Sequence, residues 1–156
     1  MNRYKGILCL LALQFATATN ATEARTMCKQ QADLVEFMMT VRADGFPRQG
    51  AEAELQKRYP TAPAGYWQQE LPQHLLKFSY NTDGLKPVAA REYFFNICLT
   101  EITDIDTDTA TAALFAVAKD CQNQFDSDKT KVTACVEKAA EPVLLNAWNA
   151  KHKVAK

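Results

Sequence analysis

Four cysteines, Cys28, Cys98, Cys121 and Cys135, constrain this chain more than any other feature, because each falls on the apolar face of a segment with helical periodicity. Any bridge among them must hold two elements side by side, since disulfide geometry brings the two Cα atoms to within about 7 Å. A fifth, Cys9, belongs to a different kind of segment. Arg3 and Lys5 precede an apolar run over residues 6–13, and Ala16-Thr17-Ala18 follows it, which is the three-part layout of a secretory signal peptide. Cleavage is expected near residues 18–21, leaving 22–156 as a single helical domain with an even number of cysteines. In an exported chain that number implies two disulfides. Cys9 does not fit a lipid anchor, because Leu8 precedes it and Leu10-Leu11 continue the apolar run.

About 135 residues is one domain's worth of chain, enough for one modest core. The whole sequence carries 18 basic and 18 acidic side chains, and the leader removes two basic ones, Arg3 and Lys5. The remaining charge is too close to neutral for binding driven by attraction to nucleic acid. No apolar run outside the leader approaches the ~20 residues that span a bilayer, so the mature form is expected to have no transmembrane segment.

Helical spacing recurs along the chain. Over residues 23–44, Met27, Leu34, Val35, Met38 and Val41 mark one face, with Arg25, Lys29, Asp33 and Glu36 largely elsewhere; Gly45 supplies a stop and Pro47 prevents continuation. Residues 49–59 give a second, thinner amphipathic helix. The proline-rich stretch 60–65 reads as an extended connection delivering Tyr66 and Trp67. Pro72 and Pro87 each suit the first turn of a helix, the latter running to about Thr100 and dense in aromatics, as befits the centre of a core. Residues 101–109 are acidic, without helical period, and read as a linker between halves 22–102 and 108–150. Two further helices flank the turn at residues 126–128, and Pro142 either kinks the second or begins another. With no convincing alternating β-branched run, the fold class is all-α, a small disulfide-stapled bundle of about five to seven short helices.

Four cysteines allow three pairings. Cys121 and Cys135 lie at similar distances from the turn, on the inward faces of two antiparallel helices, and so rank first as a hairpin closure; Cys28 and Cys98 remain, each on an apolar face in the first half. The competing reading, a nucleophilic cysteine, needs a free thiolate beside a base, and the chain has only His74 and His152.

Other chemistries lack their constellations. Asp104, Asp106 and Asp108 alternate like the first ligands of a calcium loop, but Thr109 stands where its glycine belongs and Phe115 where its distal glutamate belongs. The run reads instead as an acidic helix start. No zinc motif is present, the only serines are Ser79 and Ser127, and five glycines leave no phosphate-cradling loop. No catalytic residue, metal ligand or cofactor is assigned.

The stretch from Cys28 to Gly45, with its Met-x-x-x-Arg-x-x-Gly ending at Met38, Arg42 and Gly45, closed much later by Phe95-Asn96-Ile97-Cys98, resembles small exported all-helical proteins of proteobacteria that have no assigned activity. The resemblance covers residues 28–98. It implies a Cys28–Cys98 bridge and a periplasmic address, and it transfers no active site. The expectation that follows is a non-catalytic periplasmic or secreted protein-interaction protein, its partner another envelope or secreted protein, as an inhibitor or immunity protein would be. Tyr66 and Trp67 are the candidate contact residues, since aromatic anchors are enriched at interfaces. The alternatives are an enzyme with no recognisable motif, or a helical carrier of an apolar small molecule lined by Met38, Met39, Phe78 and Phe94.

Overall fold

A computed structural model describes residues 5–48, 50, 53, 56–57, 60–61, 63, 73–103, 105, 107–126 and 128–153, with the side chains of residues 5–20, 107, 109 and 153 outside that description. Among the described residues there are five helices of nine residues or more and no strand: α1 (Lys5–Ala43), α2 (Gln73–Asn81), α3 (Pro87–Ile102), α4 (Thr107–Phe125) and α5 (Lys129–Lys153). Of the expected helix at 49–59, only Ala53, Gln56 and Lys57 are described as helical.

The end of α1 shows how the sequence sets an element boundary. Gly45 adopts a left-handed φ of 88°. Its N–H donates to the Arg42 carbonyl at 2.9 Å, and the Phe46 N–H reaches back to the Val41 carbonyl at 3.3 Å. These are the two bonds of a Schellman closure, which a residue bearing Cβ forms only under strain. The closure turns Phe46 against Met38, Val41 and Leu76 in a small satellite core, where the Tyr80 hydroxyl donates to the Phe46 carbonyl at 3.0 Å.

The main core contains residues of all five helices and crosses the two halves read from the sequence. Cys28, Ala32, Val35 and Met39 of α1 join Leu75 of α2, Ala90, Tyr93 and Phe94 of α3, Leu114 and Ala118 of α4, and Val132, Val136 and Ala140 of α5. Met27, which the spacing puts on the inner face, is instead exposed. It lies about 100° around the helix from Cys28, and the row beginning at Cys28 is the one that packs.

Helix α3 is the axis of the bundle, packed against α1, α4 and α5. Pro87 opens it at the first turn, as its missing N–H permits. Both expected bridges are present: Cys28–Cys98 ties α1 to α3 with Cα atoms 5.6 Å apart, and Cys121–Cys135 ties α4 to α5 at 5.7 Å. At the α4–α5 turn, Asp128 accepts the Lys131 N–H at 3.1 Å and caps α5; the Lys131 ammonium, 3.0 Å from the other carboxylate oxygen, and this backbone bond hold its carboxyl below the ordinary range. Pro142 lies inside α5 and starts no new helix. The expected linker contracts, because α3 continues to Ile102 and α4 begins at Thr107.

Candidate interaction site

The densest chemistry lies where α1, α3 and α5 meet. On α1, Arg25, Lys29, Asp33 and Glu36 recur at helical spacing beside the buried row, so one ridge runs from basic to acidic along its length. Arg91, Glu92 and Phe95 face it from α3, and Lys129, Thr133 and Glu137 from α5. Arg91 is the hub. Its Nε donates to Asp33 at 2.7 Å and stands 3.6 Å from a Glu36 oxygen, while its terminal nitrogen donates to Glu92. Lys129 extends the chain by donating to Glu36 at 3.1 Å. The Arg25 guanidinium lies over the Phe95 ring, 5.2 Å from its centroid, in cation–π contact.

Glu92 is 2 % exposed. Burial pushes its carboxyl above the ordinary glutamate value; Arg91 and the Thr133 hydroxyl, which donates to Oε1 at 2.9 Å, pull it down without cancelling the rise, and Glu137 adds to it. Burial opposes the Arg91 charge, yet Asp33, Glu92 and Glu36 outweigh that effect and hold its pKa above the ordinary value. A carboxyl disfavoured in its charged form within a cleft marks a site by physical criteria. Here the same groups also clasp three helices, since Arg91 and Glu92 together bridge α3 to α1 and α5.

Two adjoining clefts open over this network. The outer, of about 510 Å³, is bounded by Asp33, Glu36, Arg91, Lys129 and Thr133 among others. The inner, of about 380 Å³, shares Arg91, Thr133 and Glu137 with it and adds Arg25, Lys29, Glu92 and Phe95. The α5 ridge that borders them continues past the clefts. Thr130, Ala134, Glu137, Glu141, Leu145 and Trp148 follow one another at three- or four-residue steps, and Leu145 and Trp148 are 57 % and 45 % exposed. His152, one turn on, stacks on the Trp148 indole with ring centroids 4.2 Å apart and donates from Nδ1 to the Trp148 carbonyl at 2.8 Å. Charged cleft and exposed tryptophan therefore share one side of α5.

Tyr66 and Trp67 lie outside the described residues, as do Asp104 and Asp106, while Asp108 is exposed in the first turn of α4. Of the residues expected to line a carrier, Met38, Met39 and Phe94 are buried in packed core, and Phe78 lines a surface cleft. Among the described residues no cluster of three metal-ligating side chains forms, and no helix is long and apolar enough to cross a membrane. Sequence reading missed the Arg91–Glu92 pair; its signal is an adjacent ion pair inside the most apolar, aromatic-rich helix. No protein-family model, curated protein or solved structure matches the chain.

Proposed function

We propose that this is a non-catalytic exported protein, periplasmic in address, that binds another envelope or secreted protein, in its most specific form as an inhibitor or immunity protein against an envelope-acting enzyme. The observation that carries the reading is the α5 ridge, on which Trp148 and Leu145 stand exposed in line with the charged clefts. A large aromatic beside charged groups on a rigid helix is the composition of an interface anchor. Two disulfides fit an oxidising compartment, and by fixing the helices they lower the ordering cost of binding. Glu92 serves the clasp, with Oε1 engaged by both Arg91 and Thr133. Tyr66 and Trp67 stay in the proposal as a second aromatic contact.

The test passes an envelope extract over immobilised wild-type protein and over Trp148→Ala. A partner retained about tenfold better by the wild type, and whose own enzymatic activity falls when the wild type is added, supports the reading. Equal retention by both proteins removes the α5 ridge as the binding face.

A further inference from the structure

We propose that the cleft between α2, α3 and α4 is a binding site for a small aromatic carboxylate. This cleft, of about 580 Å³, lies away from the α1–α5 face and has no part in the reading given above. Its size falls within the range of small-molecule sites.

The floor is aromatic. Phe78 of α2, Tyr93 of α3 and Phe115 of α4 line it; Tyr93 meets the Phe115 ring edge-on at 5.4 Å and the Phe78 ring at 5.8 Å. Flat π-faces and edges arranged this way accept a further ring by stacking or edge contact. Tyr93 is 7 % exposed and lines the cleft, and among the described residues no hydrogen bond engages its hydroxyl, so what the residue shows to solvent includes a free donor. Burial raises its pKa, so the hydroxyl stays protonated and available as a donor. A phenol whose ring is packed and whose hydroxyl opens into a cleft offers a fixed donor to an acceptor bound there.

The rim selects the sign of charge. His74, Lys77, Phe78 and Asn81 occupy one face of α2, at steps of three, one and three residues. Lys77 has no carboxylate within ion-pair distance among the described residues, whereas Asp83, the rim's one acidic group, is already engaged by Arg42. The uncommitted rim charge is therefore positive. A ring on the floor would place an attached carboxylate where the Tyr93 hydroxyl and the Lys77 ammonium can both donate to it.

The probes are 2-naphthoate and its neutral counterpart 2-naphthylmethanol, titrated into the full chain and followed by amide chemical shifts. The proposal expects saturable shifts at residues 74–83, 93 and 115, tighter binding of the carboxylate, and at least about fivefold weaker 2-naphthoate binding in Tyr93→Phe, the loss of one hydrogen bond to a charged group. Lys77→Gln should weaken 2-naphthoate about threefold or more and leave 2-naphthylmethanol unchanged. Thermal melts of both variants confirm the fold. Absence of saturable shifts, shifts centred on another surface, or equal effects of Lys77→Gln on both probes would overturn it.

Discussion

The Thr133 hydroxyl donates to Glu92 Oε1 at 2.9 Å across the α3–α5 interface, so the one buried carboxylate of α3 is held by a residue of the C-terminal hairpin. On the other side of Glu92, Arg91 reaches two acidic residues of α1. A polar clasp thus sets the rotation of α1 and α5 about α3, which apolar packing alone specifies weakly.

The charge on Glu92 has a consequence for stability. Its folded pKa stands above the ordinary 4.5, so protonation favours the folded state: the contribution is fully present below that ordinary value and is lost as pH rises through the raised one. Glu92→Gln keeps an acceptor for Thr133 and leaves Arg91 its partners on α1. The variant should melt about 2–4 °C higher than wild type at pH 7, a gain of roughly 1 kcal/mol, with the difference closing toward pH 4. A lower melting temperature at pH 7 would mean that attraction to Arg91 exceeds the cost of burial.

Ser79 presents the reverse case. Its side-chain oxygen is buried with no hydrogen-bond partner, while its carbonyl accepts from Arg42 at 3.0 Å. Ser79→Ala removes the orphaned group and keeps the carbonyl, and should stabilise by about 1 kcal/mol. Urea denaturation measures this as a higher midpoint at unchanged slope.

The two bridges differ in loop length, 70 residues against 14. In the chain-entropy account they contribute roughly 4.4 and 3 kcal/mol. Replacing Cys28 and Cys98 by serine should therefore lower stability more than replacing Cys121 and Cys135. Equal losses in the two double variants would show that native-state packing, rather than the unfolded chain, sets their value.

Trp148→Ala should cost under about 1 kcal/mol of stability, since half the indole is in water, whereas Leu114→Ala in the core should cost about 2–5 kcal/mol. Measuring both stability and partner binding on Trp67→Ala separates its two roles. A loss of about 3–5 kcal/mol makes it a packing residue, and an unchanged melt with weakened partner binding makes it a contact.

Much of the architecture was legible because its signals were redundant. Gly45 and Pro47 ended α1, Pro87 opened α3, and similar distances of Cys121 and Cys135 from one turn matched them across it. Met27 was misplaced because a residue one position off a helical stripe still falls within a generous three-to-four pattern, and only the packing of Cys28, Ala32 and Val35 chooses the row. The acidic linker shortened because Thr and Asp residues that cap a helix also resemble a loop. The charged clasp stayed hidden for a physical reason: Asp33, Glu36 and Arg91 have the composition of a solvated face, and their meeting depends on how three helices rotate against one another. Tyr93 likewise read as core, and so it is, apart from its hydroxyl.

Both bridges join cysteines that are consecutive in the chain once Cys9 is set aside: 28 with 98, then 121 with 135. A polypeptide crossing a membrane amino end first presents these thiols in that same order. An oxidase that links each new thiol to the one still free before it reaches the native arrangement directly, with no mispaired species to resolve by exchange. For a chain exported as proposed, maturation in that order would need an oxidant alone, whereas refolding from the reduced, fully unfolded chain releases all four thiols together and opens the other two pairings to be resolved by exchange.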